Sequence, residues 1–196
     1  METINRILEK YQITTNSMIV EIPISRWKEF PTLLVELGLT KGVEIGTYKG
    51  QYAATLSNVG IDLICVDAWT VYNGYKDYGE NDLETVAYDE AKKRSEKYGF
   101  KLMKAWSLDA VQEFKDESLD FVFIDGNHDF RHVTDDVDEW SKKVRKGGIV
   151  SGHDFFKNHH KRFGVREAIP AWCEANQISR LFILTGDKCP SWFYIK

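Results

Sequence analysis

From Gly38 onward the chain alternates short apolar runs with longer stretches in which apolar residues recur at helical spacing. Val43-Glu44-Ile45 reads as a strand and Tyr52 to Val59 as the helix behind it, and Leu63 to Val66 reads as a second strand. Leu83 to Tyr98, with charges between its apolar positions, predicts a helix that stops at Gly99. Lys101 to Ala105 gives a third strand, Asp109 to Phe114 a short helix, and Leu119 to Ile124 the clearest strand in the chain. Val133 to Val144 predicts a helix halted by Lys146-Gly147-Gly148. Ile149-Val150 opens the fifth strand, and Val165 to Ala175 forms one more helix despite Pro170. The rhythm then changes. Arg180 to Leu184 and Trp192 to Ile195 are two β runs joined across Gly186 to Pro190 with no helix between them, which predicts an antiparallel hairpin.

Five alternations followed by a hairpin predict a doubly wound, Rossmann-like α/β fold: a seven-stranded mixed sheet with helices on both faces. One domain over residues 1–196 is expected, with 1–40 as an N-terminal helical or cap segment. Ser25 is placed to cap a helix through Trp27, Phe30, Leu33, Leu34 and Leu37, with Pro31 in its first turns, where proline costs least. Residues 1–24 are expected to cover a ligand site, to pack on a second copy of the chain, or both.

Composition narrows the classes of partner. With 43% hydrophobic and 29% charged residues the chain has the balance of a soluble globular protein. A formal net charge of -4 gives no global attraction for nucleic acid or an anionic membrane. The first residues carry no apolar segment of signal-peptide type, and no uncharged run reaches the length of a membrane span. Cys65, Cys173 and Cys189 are odd in number and scattered, as expected of a reduced, cytoplasmic protein without structural disulfides.

The candidate chemistry collects at the carboxyl ends of the predicted strands, where ligands sit in this fold. Gly42-Val43-Glu44-Ile45-Gly46-Thr47-Tyr48-Lys49-Gly50 puts a glycine turn between the first strand and its helix, and Asp67 follows the second strand. Such a turn lets backbone approach a small ligand closely, and the later acid is placed to accept both hydroxyls of a ribose. The spacing is near that of a dinucleotide fingerprint, but Glu44 stands where the first glycine belongs, and its charge would repel a pyrophosphate. A ligand with an amine or a positive centre suits it better. The third strand ends at Trp106-Ser107, the fourth at Asp125-Gly126-Asn127-His128, and the fifth at Ser151-Gly152-His153-Asp154. His128 and His153 are candidate proton acceptors, because imidazole titrates near neutrality. Asp125 and Asp154 are placed either to orient an imidazole or to bind a divalent cation. Asp129, Asp135, Asp136 and Asp138 read as a charge run at a helix N-terminus, and His132 as an exposed residue of that helix. Trp69 to Gly79 is long and aromatic, as expected of a lid. Phe155, Phe156 and Phe163 are candidates for the opposite wall, and His159-His160 reads as a polar loop.

These residues, in this order and spacing, resemble the class I S-adenosylmethionine-dependent methyltransferases over nearly everything from Gly42 to Lys196. The resemblance assigns cofactor binding to Glu44, Gly46, Thr47, Tyr48, Gly50, Asp67 and Asp125. The adenine is placed between Ala68 or Trp69 and Ser107. Phe123 to Phe130, Asp135-Asp136-Val137, Lys146 to Phe155 and Pro190-Ser191-Trp192 are similar to a bacterial branch of small-molecule methyltransferases. Members of that branch act on sugars, macrolide sugars or similar hydroxylated metabolites, and several need magnesium. Metal positions carried over from relatives that methylate catechols fall on Asp125, His153 and Asp154. Those relatives have an Asp-Asn pair at the last two positions, whereas this chain has His-Asp, and magnesium prefers an all-oxygen shell.

The implied activity is transfer of a methyl group from S-adenosylmethionine to a hydroxyl of a small metabolite. Catalysis would fall on His128, His153 and Asp125, working either as a histidine base or through magnesium or another divalent metal. A nitrogen acceptor is kept open. The competing readings are an NAD(P)-dependent oxidoreductase, a non-catalytic nucleoside-binding protein of the same fold, and a metal-dependent hydrolase. A small-molecule acceptor is expected as partner, together with a second copy of the chain, and neither nucleic acid nor membrane.

Overall fold

The structure, a computed structural model, describes residues 2–70, 86–156 and 164–196. Its strands are β1 (Ile19–Ile22), β2 (Lys41–Ile45), β3 (Asp62–Asp67), β4 (Lys101–Lys104), β5 (Leu119–Ile124), β6 (Val144–Gly152), β7 (Leu181–Leu184) and β8 (Ser191–Ile195). They form one sheet in the order β1-β7-β8-β6-β5-β2-β3-β4. Every pairing is parallel except those of β8 with β6 and β7, so the C-terminal hairpin makes the sheet mixed, as expected.

The strands are apolar almost throughout because both faces are covered. On β5, Phe121 and Phe123 join one core while Val122 and Ile124 join the other. The hairpin repeats the alternation, with Phe193 on the first side and Trp192 and Tyr194 on the second. Helices α1 (Thr3–Lys10), α2 (Glu29–Glu36) and α3 (Gln51–Asn58) bury Ile7, Leu33 and Leu56 on the first face. On the second, α5 (Ser107–Ala110), α6 (Phe130–Lys143) and α7 (Val165–Ala175) bury Ala110, Trp140 and Ile169. Between these groups in sequence, α4 (Tyr88–Tyr98) packs beside α3 and ends at Gly99 in the left-handed region. The expected start of that helix at Leu83 lies outside the described residues.

Two expectations change. Among the described residues the sheet has eight strands, not seven, because Ile19–Ile22 adds in parallel to the outer edge of β7. This strand is short, alternates exposed and buried positions and runs straight into Pro23, so it carries none of the continuous apolar signal of the central strands. Helix α1 also does not cover the strand tips. Thr3 donates to the Gly147 carbonyl at 2.6 Å, near the start of β6 and therefore at the opposite end of the sheet. Ser25 does act as a cap, one turn ahead of α2: its hydroxyl accepts the Trp27 amide at 3.0 Å, and Glu29 reaches back to the Ser25 amide at 2.8 Å.

Candidate active site

The carboxyl ends of β2, β3, β5 and β6 open into a cavity of about 860 Å³. It lies where β2 has β5 on one side and β3 on the other, the switch point at which successive helices leave on opposite faces. Its walls include Glu44, Gly46, Thr47, Tyr48, Asp67, Ala68, Ser107, Asp125, His128, His153 and Asp154, so most residues expected from the sequence meet in one place.

The turn after β2 is held from three directions. Asp67 accepts the Tyr48 amide at 2.8 Å through one carboxylate oxygen and the Trp69 amide at 2.7 Å through the other. Trp69 is fully buried and donates its indole N–H to the Tyr48 carbonyl at 2.7 Å, so it pins the turn, and Ala68 rather than Trp69 faces the cavity. Gly50 caps α3 with a left-handed conformation and does not reach the wall. Gly46 has φ +84°, and a Cβ there would stand 2.0 Å from the Asp125 carbonyl oxygen. The turn can lie this close to the β5 tip only without a side chain. Gly46→Ala is therefore expected to cost roughly 2–4 kcal/mol from strain and overpacking. A thermal melt should show a clear drop in Tm; an unchanged Tm would show that the β5 tip gives way freely.

Glu44 is the most unusual group in the cavity. It is 2% exposed, and its Oε2 has no hydrogen-bond partner among the described residues. Burial pushes its pKa up to about 8, against the pull of the Thr47 hydroxyl. A carboxyl oxygen without a protein partner at a cavity wall fits a cationic guest. Asp67 is also raised by burial, against the pull of the amides that it accepts.

Just beyond the β4 tip, Ser107 accepts the Trp140 indole at 2.8 Å and donates to Asp136. The charge-run reading of the α6 acids does not extend to Asp136, which is 6% exposed and lines the cavity. Burial raises its pKa to about 6. Its i+4 relation to Trp140 places both on the inward face of α6, a signal already present in the helical period.

At the β5 and β6 tips, His128 Nε2 lies 2.7 Å from Asp154 and 3.6 Å from Asp125. Burial alone would raise the Asp154 pKa, but hydrogen bonding and charge from His128 outweigh it and hold the group at about 2. Asp154 also accepts the Cys189 thiol at 2.9 Å and adopts a left-handed backbone at φ 58°, a conformation that aspartate tolerates better than most residues. Asp125 is pulled below the usual range as well, because His128, His153 and Arg26 together overcome its burial. His153 is more enclosed: Nδ1 lies 2.9 Å from the Ser191 hydroxyl, Nε2 is 3.8 Å from Asp154, and burial lowers its pKa.

The three positions on which the resemblance places a metal do not fit magnesium. The donor atoms that converge belong to two other sets, Asp125–His128–Asp154 and His153–Asp154–Cys189. The first includes one nitrogen, and the second a nitrogen and a sulfur. Asp125 is paired with the Arg26 guanidinium at 3.0 Å. Arg26 and Trp27, which come from the turn before α2, are wall residues that sequence reasoning missed. Nothing in their local pattern separates them from a solvated turn.

Phe156 lines the wall as expected, whereas Phe155 is buried in the core. His132 is half-exposed at the rim. Residues 71–79 of the expected lid, His159-His160 and Phe163 lie outside the described residues. Among the described residues no helix is long and apolar enough to cross a membrane.

Comparison with known proteins gives the same direction. An uncharacterized protein of Sinorhizobium fredii is 26% identical over 136 residues, which is 69% of this chain and 14% of that protein, so the chain spans about a seventh of the relative's length. An O-methyltransferase from Bacillus cereus, solved in complex with SAH, superposes with a TM-score of 0.65 at 17% identity, covering 99% of this chain and 90% of that one. The O-methyltransferase TomG from Streptomyces achromogenes, solved with SAM, gives 0.61 at 14% identity, covering 100% and 90%. At these identities the likeness establishes the fold. The family described as methyltransferase domain matches residues 43–155, more than half of the sequence and the part that carries both the glycine turn and the His128–Asp154 pair, and the chain belongs to that family.

Proposed function

We propose that the protein transfers the methyl group of S-adenosylmethionine to a hydroxyl of a small metabolite, with His128 as the proton acceptor. The observation that carries this reading is the charge arrangement of the cavity. A buried carboxyl with one unsatisfied oxygen, Glu44, stands at the end beside the glycine turn, and an imidazole close to a carboxylate stands beside the β5 and β6 tips. The first suits the positively charged amino-acid end of the donor and repels a phosphate chain. Asp67, with lone pairs left after its amide bonds, suits the ribose.

In this reading the donor's sulfonium methyl and the acceptor oxygen are brought into line, and the protein contributes positioning and electrostatics rather than a covalent intermediate. Asp154, anionic at neutral pH, stands 2.7 Å from His128 Nε2 and orients the imidazole. The acceptor hydroxyl gives its proton to the imidazole as its oxygen bonds to the methyl carbon and the carbon–sulfur bond breaks. The O-methyltransferase neighbours and the family match support the chemistry, and the 860 Å³ cavity accommodates a donor with a small acceptor beside it. The acceptor is read as a neutral or amphipathic metabolite, because Trp27, Tyr52 and Phe156 line the cavity. Cytoplasmic placement is part of the same reading and is supported by three free cysteines.

Isothermal titration tests the donor. S-adenosylhomocysteine is expected to bind and NADH is not. Radiolabelled methyl transfer across a panel of sugars, phenols and amines then separates hydroxyl from nitrogen acceptors. NADH binding without S-adenosylhomocysteine binding would overturn the reading.

A further inference from the structure

We propose that Arg26 is a resident cation of this site, holding the position beside Asp125 that a divalent metal would otherwise take, so that deprotonation of the acceptor proceeds without a metal ion. Both candidate carboxylates are already engaged by protein groups. Asp125 Oδ2 meets Arg26 Nη1 at 3.0 Å, Asp154 Oδ2 meets His128 at 2.7 Å, and Asp154 Oδ1 accepts the Cys189 thiol at 2.9 Å. His153 Nδ1 is taken by Ser191. A metal entering here would have to break at least the first of these contacts and then share a small volume with a guanidinium.

Arg26 is built in rather than resting on the surface. Its backbone amide donates to Asp187 at 2.7 Å, and the neighbouring Ser25 hydroxyl donates to the same carboxylate at 2.8 Å. Its guanidinium lies 4.7 Å from the centre of the Trp27 ring, 5.1 Å from that of Tyr52 and 5.8 Å from that of Phe123. The side chain is 11% exposed. Aromatic faces and a desolvated carboxylate both favour a guanidinium, which is always charged and loses less hydration on burial than an ammonium. Arg26 acts on the acceptor through Asp125 and is in that sense a positioning residue. It lies outside the segment matched to the family, so the device belongs to this chain's N-terminal region.

The test is binding of Mn2+ to chelator-treated protein, read by electron paramagnetic resonance, with circular dichroism to verify folding. The wild type is expected to bind no Mn2+ in a manner that depends on Asp125. Arg26→Gln removes the resident charge and is expected to tighten Mn2+ binding at least about tenfold. Asp125→Asn in the same background should abolish that gain, and Arg26→Lys, which keeps the charge, should not show it. Wild-type binding that Asp125→Asn removes would overturn the proposal, and so would an Arg26→Gln protein that folds and gains no Mn2+ site. If Arg26→Gln does not fold, the wild type and Asp125→Asn decide between these outcomes. A turnover measurement in excess chelator rests on the hydroxyl-methylation reading: activity should persist. Absence of transfer to every acceptor would count against that reading alone, since the Mn2+ result does not depend on it.

Discussion

His128→Ala is expected to lower kcat by about 10²–10⁴ while leaving donor affinity close to that of the wild type. Removing the ring takes away the proton acceptor but not Glu44, Asp67 or the glycine turn. Asp154→Asn should give a smaller loss of the same kind, because the amide keeps the shape and surrenders the charge beside His128. Steady-state kinetics, paired with S-adenosylhomocysteine titrations, check both statements. An unchanged kcat in His128→Ala would move the base to another group.

Glu44→Gln is expected to make the ligand-free protein more stable and a poorer binder of the donor. The folded-state pKa of about 8 lies above the ordinary 4.5, so the folded chain keeps a proton that the unfolded chain has released. Stability therefore falls as pH rises from about 4.5 to about 8 and levels beyond that. At pH 8 the glutamine variant escapes this penalty, which is on the order of 2–4 kcal/mol, and its Tm should rise by several degrees. Donor binding should show the converse. The amino group of the donor favours ionised Glu44, so wild-type affinity should tighten from pH 6 toward 8 with release of a proton. Glu44→Gln should bind at least about tenfold more weakly, with no such pH dependence. Calorimetry in two buffers of different ionisation enthalpy measures the proton release. Equal affinity and equal Tm in the two proteins would remove Glu44 from the donor site.

Much of this arrangement was legible in the chain because it depends on local pattern. The period-2 and period-3.6 runs identify the central strands and most helices, and strand ends in this fold are where ligands sit, so Glu44, Asp67, Asp125, His128 and Asp154 could be gathered without coordinates. What escaped depends on long-range packing. Arg26 enters the cavity because Ser25 and its own amide are fastened to Asp187, 161 residues away from it in the chain, and no spacing rule reports such a contact. β1 was missed for a related reason, since its partner β7 lies near the other end of the sequence. Trp69 was placed against the adenine because it follows Asp67, but its indole finds the Tyr48 carbonyl and packs beneath the turn. Asp136 was read with its charged neighbours, although the inward face of α6 already included its position.

The parallel contact of β1 with β7 ties the assembly of the site to its history of folding. Closing that pair joins segments from opposite ends of the chain, so its entropic cost is met only once the intervening strands are in place. The edge is also where a sheet opens most readily, and fraying there would carry Arg26 away from Asp125 while the central strands stay intact. Mild denaturant should therefore silence the enzyme before its global transition, with amide exchange fastest along Ile19 to Ile22.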